Sequence, residues 1–282
     1  MKRMCWAIAL LLVAITGKAQ EYYFDYNTEK AISTLLQNKL KEIGGNGGEV
    51  YVMETQTGKI IAKVKSGNTT DNEEWLGYYY APTYIALLET GKVKPTDKVD
   101  AGNGIYKDTY DHNWRSGGYG TITLEDALTY SSKVALVKAT EQVGTIDITK
   151  YVGCNSVWGI LTFYNAVANC GKIVQPIGWG NTIVKDKQLA STENITNLQR
   201  TLRLNVAERL GKQAKSDKVE IAAKGRTFKL NSNTFRMEFC GYFPASKPQY
   251  TVLVVLEKNG LPAGSGSMCA PLFKQIAETL IK

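Results

Sequence analysis

The chain has 282 residues, 44% hydrophobic and 21% charged, which gives enough apolar material for a large core in one or two domains and excludes a disordered chain. Its formal charge is +8, but there is no dense basic block and no zinc-finger spacing, so nucleic acid is not an expected partner. Lys2, Arg3 and Lys18 leave with the leader, so the mature chain is only mildly basic, a balance that suits an anionic wall or membrane surface.

Residues 1–19 read as a secretory signal peptide. Lys2 and Arg3 form its basic start, Trp6 to Ile15 its apolar run, and Thr16 to Ala19 precede a cut before Gln20. The apolar run is short for a membrane anchor, and no second membrane segment follows. Residues 20–48 hold an aromatic patch and an amphipathic helix, capped near Asn27 or Thr28, with Ala31, Ile32, Leu35, Leu36, Leu40 and Ile43 on one stripe. Gly44 to Gly48 break it. Glu49–Met53 and Lys59–Val64 then read as a hairpin turning through Glu54 to Gly58. A polar loop, Ser66 to Glu73, leads into a buried helix, Glu74 to Gly91, that Gly91 stops.

Residues 92–120, rich in Gly, Asp and Tyr, read as surface loops. His112, the only histidine, lies there, and a lone histidine in a polar loop supplies no Ser-His-Asp triad. A short helix follows, ending in Ser131-Ser132-Lys133. Gly159 to Asn169 is a packing helix closed by Asn169-Cys170-Gly171, and Asn194 to Lys212 a further helix with Leu198, Leu202, Val206 and Leu210 at helical spacing. Three strands come next: Lys218 to Leu230, with Lys224-Gly225-Arg226-Thr227 inside it, then Thr234 to Pro244, then the β-branched Tyr250 to Glu257. A Gly/Ser loop leads to a closing helix, Ala270 to Ile281, burying Leu272, Phe273, Ile276, Ala277 and Leu280. Cys154, Cys170, Cys240 and Cys269 remain after the leader. Four cysteines allow three pairings, and buried free thiols are the equal alternative.

Taken in order, from the hairpin to the C-terminus, these segments resemble the transpeptidase domain of class B, division-type penicillin-binding proteins. The most specific match is Leu161-x-x-Tyr164-x-Ala166-x-Ala168-Asn169-x-Gly171 running on to Pro176. Leu88-Glu89-Thr90-Gly91, Gly120-Thr121-Ile122-Thr123 and Gly241-Tyr242-Phe243-Pro244 support it. The resemblance implies an α+β fold: a five-stranded antiparallel sheet flanked by N- and C-terminal helices, as in serine β-lactamases. A mostly helical subdomain, 66–215, is inserted in a transpeptidase-like domain of residues 49–282. The 20–48 stretch leaves no room for the N-terminal module that class B proteins carry.

The resemblance also implies three active-site motifs, and all three are degraded. Counting back from Leu88-Glu89-Thr90-Gly91 puts Gly77 at the position of the nucleophilic serine and Tyr80 at that of the base lysine. The chemistry needs a hydroxyl and an adjacent base three residues apart on one helix face, and glycine and tyrosine supply neither. Ser131 matches the serine of the second motif, while Lys133 replaces an asparagine and lacks its carbonyl acceptor. In the third motif Lys224 and Thr227 match, Gly225 replaces threonine, and Arg226 replaces the glycine that lets substrate lie against the strand.

The expected function is therefore a catalytically inactive domain acting as a binding or regulatory module in peptidoglycan metabolism, periplasmic or envelope-associated, with an envelope protein as a possible partner. Neither metal nor cofactor is expected. One alternative is an active D-Ala-D-Ala transpeptidase or carboxypeptidase using Tyr78 or Tyr80 with Lys224 as the cation. Tyrosine's ordinary pKa of about 10 weighs against it. Another is non-covalent recognition of a stem peptide or β-lactam, with Ser131, Lys224, Arg226 and Thr227 engaging a carboxylate. A serine and a lysine brought side by side in the cleft from elsewhere in the fold would undercut the inactive reading.

Overall fold

Asp25 starts the first helix. Its side chain accepts the Asn27 N–H, two residues earlier than the sequence cap, and α1 runs Tyr26–Ile43 with Ile32, Leu36 and Leu40 buried. Gly44 ends it in the left-handed conformation, at φ 62°, which glycine adopts without a Cβ penalty. The computed structural model describes residues 25–70, 79–152, 156–176 and 187–281. The signal peptide, Gly77, Tyr78 and Cys154 lie outside them.

β1 (Gly47–Glu54) and β2 (Ile60–Gly67) form the hairpin. Then come α2 (Tyr80–Glu89), β3 (Lys98–Asp100), β4 (Ile105–Tyr106), β5 (Thr109–Tyr110) and β6 (Thr121–Thr123). Four helices follow: α3 (Leu124–Thr129), α4 (Lys133–Val143), α5 (Thr149–Val152) and α6 (Val157–Ala168). The chain closes with α7 (Thr192–Glu208), β7 (Ala222–Lys229), β8 (Thr234–Phe243), β9 (Tyr250–Asn259) and α8 (Ser265–Leu280). The five long strands make one antiparallel sheet in the order β2-β1-β9-β8-β7, so β7 is an edge.

Period-two alternation divides the sheet between two cores. Val50, Val52, Met237, Phe239, Val252 and Val254 face α1 and α8. Tyr51, Met53, Cys240, Tyr242, Leu253 and Val255 face the helices between β2 and β7. Asn165 of α6 braces that second interface: its buried amide donates to the Thr55 carbonyl (3.1 Å) and its Oδ1 accepts from Thr251 Oγ1 (2.8 Å). Each such bond contributes about 1 kcal/mol net.

Several element bounds move. Residues 92–120 carry two small strand pairs, β3 with β6 and β4 with β5, rather than loops alone. The helix expected to reach Lys212 stops at Glu208, because the Arg209 and Gly211 N–H groups both turn back onto the Asn205 carbonyl. The closing helix starts at Ser265, so the supposed Gly/Ser loop is its first turn. That turn lies close on β7: a Cβ at Gly225 would stand 2.5 Å from Ser265 Oγ and 2.8 Å from Phe239. Gly225 is therefore what lets the start of α8 approach the edge strand.

Candidate functional site

A cleft of about 730 Å³ opens along the β7 edge. Lys224 to Thr227 form one wall, Tyr80, Tyr110, His112, Tyr130 and Ser131 the opposite one, and the ends of α7 and α8 close it. β7 presents alternate residues to the two sides of the sheet. Lys224 and Arg226 thus share the face that meets α2, where Lys224 Nζ lies 5.4 Å from the Tyr80 ring centre and the Arg226 guanidinium 4.8 Å from that of Tyr79.

The structure brings Ser131 and Lys224 together across 93 residues of chain, with Lys224 Nζ 2.5 Å from Ser131 Oγ. Lys224 is only 5% exposed. Desolvation disfavours its charged form and pushes its pKa down from 10.5 to about 7. Ser131 sits between α3 and α4 at φ 57°, in the left-handed region that a non-glycine residue avoids. The turn is held from below. Ser131 N–H donates to the Leu128 carbonyl, Ser132 N–H to that of Ala127, and Ser132 Oγ to buried Asp111 (2.7 Å). Asp111 also accepts the Val134 N–H at the start of α4 (3.0 Å). This is the arrangement that undercuts an inactive reading drawn from the first motif alone.

The other motif-equivalent positions behave differently. Tyr80, which the resemblance sets at the base-lysine position, offers a ring rather than an amine to Lys224. Gly77 lies outside the described residues. Lys133 opens α4 and is not among the residues lining the cleft. Thr227 lines the cleft and its hydroxyl accepts the Ser265 N–H (2.9 Å).

Arg226 lines the cleft and is paired within the fold rather than solvated. Its Nε donates to Glu238 at 2.6 Å, and its guanidinium lies near the Tyr79 and Phe228 rings. Glu238 also accepts from Arg236 (2.9 Å), which reaches Glu257 (3.0 Å); Glu257 in turn accepts the Thr70 N–H. A buried charge chain thus crosses the sheet from the motif-glycine position to Thr70. Behind Arg226 and Tyr80 lies a small cavity of about 30 Å³, enough to admit water.

Sequence reasoning set His112 aside, and it did not single out Asp111. His112 lines the cleft, within hydrogen-bonding reach of Tyr119 Oη (3.1 Å). Burial first, with the Lys224 charge as a lesser cause, holds its pKa below the ordinary histidine value against the opposing pull of Asp111. Tyr119 stacks on Tyr130, and Arg209 lies over the Tyr130 ring at 5.2 Å. The only signal in the chain was Asp111 beside the single histidine. Its partner Ser132 is set by how the 101–120 loop folds back, which no local pattern reveals.

Three of the four cysteines are among the described residues, and none of the three is in a disulfide: Cys240 and Cys269 are buried free thiols, and Cys170 is an exposed one. No group of three or more His, Cys, Asp or Glu side chains suited to a metal occurs among those residues, and none of their helices is long and apolar enough to cross a membrane.

The family model for the penicillin binding protein transpeptidase domain matches residues 48–155 and 156–278. No curated protein matches the chain. Solved structures do. The transpeptidase domain of the FtsI4 D,D-transpeptidase from Legionella pneumophila is 19% identical with a TM-score of 0.65, over 92% of this chain and 98% of that one. A peptidoglycan glycosyltransferase from Burkholderia ambifaria is 18% identical, TM-score 0.75, over 92% and 96%. The transpeptidase domain of penicillin-binding protein 3 from Burkholderia pseudomallei is 18% identical, TM-score 0.74, over 91% and 94%.

Proposed function

We propose, from the premise that this chain belongs to the penicillin-binding protein transpeptidase domain family, that it binds peptidoglycan stem peptides or β-lactams without carrying out the family's acyl transfer at helix α2. The observation that carries this reading is the α2 end of the cleft. Tyr80 stands where a base is needed, and Arg226 with Glu238 fills the space beside it, while Lys224 remains to meet a carboxylate. Ser131 and Thr227 flank Lys224 with hydroxyls, and a charge-assisted bond to a carboxylate is the strong kind. The domain is then a binding or regulatory module in peptidoglycan metabolism.

Calorimetry with a stem pentapeptide ending in D-alanyl-D-alanine is the test. Binding is expected in the intact protein and is expected to weaken by roughly tenfold or more in Lys224→Ala. Absence of binding, or equal binding by the variant, would overturn the reading. So would a denaturation-resistant penicillin adduct mapped to residues 74–91. The basic start and apolar run of residues 1–19 support export to the periplasm or envelope. N-terminal sequencing of the protein recovered from that compartment should begin at Gln20, and retention in the cytoplasm with Met1 intact would refute it.

A second reading, acyl transfer by a nucleophile other than the family's, draws specific support from one contact. That contact is Ser131 with Lys224, rather than Tyr78 or Tyr80.

A further inference from the structure

We propose that Ser131 and Lys224 form a reactive serine–lysine pair that takes an acyl group from carboxylic esters with acidic leaving groups, an activity separate from peptide transfer at α2. Three observations carry it. Ser131 Oγ and Lys224 Nζ are 2.5 Å apart, within reach for direct proton transfer. Both line the 730 Å³ cleft, so an acyl donor can reach the hydroxyl. Ser131 is held at φ 57° by the hydrogen bonds of its turn and by Asp111 beneath Ser132, which fixes the hydroxyl against the amine.

The surroundings lower the proton affinity of the amine, so that near pH 7 both its charged and its neutral form are present. Lys224 is buried, His112 faces it from the 101–120 loop, the Tyr80 ring from α2, and Arg226 shares its strand face while paired with Glu238. Arg209 and Glu208 at the end of α7 are bonded to each other, and the start of α8 brings only hydroxyls and backbone.

In the step, Ser131 Oγ bonds to the ester carbonyl carbon as its proton passes to the Lys224 lone pair. The bond from that carbon to the leaving oxygen breaks, the aryloxide departs as an anion, and Lys224 returns its proton to water. The N–H groups of Ser131 and Ser132 are already committed to Leu128 and Ala127 carbonyls, so this turn lends no oxyanion donor. The reactivity is therefore confined to activated esters and does not extend to peptides. It stands or falls apart from stem-peptide binding, since peptide calorimetry reads one and acyl mapping the other.

The experiment is incubation with p-nitrophenyl acetate, followed by peptide mapping and stopped-flow release of p-nitrophenolate. One acetyl on Ser131 is expected in the unaltered protein, with a release burst that rises with pH through a midpoint near 7. The burst should vanish in Ser131→Ala and slow by about a hundredfold in Lys224→Met, both checked for native circular dichroism. The mapping of the unaltered protein decides the matter even if a variant misfolds. Acetyl on Lys224, Tyr80 or another residue with Ser131 unmodified would overturn the proposal, as would labelling of Ser131 no faster than in the urea-unfolded chain.

Discussion

Glu238→Ala is expected to destabilise the protein by about 3 to 5 kcal/mol, because it removes the one carboxylate shared by two buried guanidiniums. Glu238 accepts from Arg226 at 2.6 Å and from Arg236 at 2.9 Å. The side chains are 3% exposed for Glu238, 10% for Arg226 and 6% for Arg236, so water cannot take over. Arg236 keeps Glu257 at 3.0 Å, and the larger penalty falls on Arg226. Urea unfolding should show a lower midpoint with an unchanged slope, the signature of lost stability rather than of a changed unfolded state. The paired replacement Arg226→Leu with Glu238→Leu removes both charges at once and should recover most of the loss, since a buried ion pair exchanged for apolar groups is often neutral or better. A loss below about 1 kcal/mol in Glu238→Ala would mean the chain of charges contributes little. The same residues bear on restoring the third motif: glycine at position 226 would remove one of the two guanidiniums that Glu238 accepts from and leave it Arg236 alone.

Lys224→Met should make the protein more stable at neutral and acidic pH and should change how stability depends on pH. The unfolded chain keeps the Lys224 proton up to 10.5, the folded chain only up to about 7. Below pH 7 both states carry the charge, and the folded state bears the full penalty of burying it. Between pH 7 and 10.5 the unfolded state binds more protons, so rising pH favours folding and the penalty fades. Above that window neither state is charged. The difference between the two proteins should be on the order of 5 kcal/mol below pH 7 and shrink steadily toward pH 10, with the lost Ser131 bond subtracting about 1 kcal/mol. Titrating groups other than His112, whose pKa the Lys224 charge helps to lower, cancel in the comparison. Denaturant midpoints at pH 6, 8 and 9.5 measure it, and a pH-independent difference would show that Lys224 stays charged in the folded protein.

The two predictions concern residues that the chain advertised unequally. Lys224 was visible as a motif match, and its burial follows from lying on a strand face opposite α2. Arg226 was visible only as a misfit. Its residue type showed only that the glycine that lets substrate lie against the strand was replaced. Glu238, two strand positions from Cys240 on the neighbouring strand, gave no hint that it would accept the guanidinium.

What the chain determined by itself was the scaffold. Alternating apolar residues in the long strands, stripes on α1, α7 and α8, and glycines such as Gly44 and Gly91 mark elements because helix and strand periods are local. The spacing from Leu161 to Pro176 marks the family because it is a single helix and its stop. The expectation of a first motif without its serine and lysine, drawn from Gly77 and Tyr80, is likewise local, three residues apart on one stretch. What only the tertiary structure decided was which side chains lose water together. Ser131 meets Lys224 across 93 residues, Asp111 meets Ser132 across 21, and Arg226 finds its counter-charge on the next strand. A buried amine with a lowered pKa and a buried guanidinium held against a buried carboxylate are both products of desolvation. Desolvation belongs to the closed cleft, and no stretch of chain has it alone.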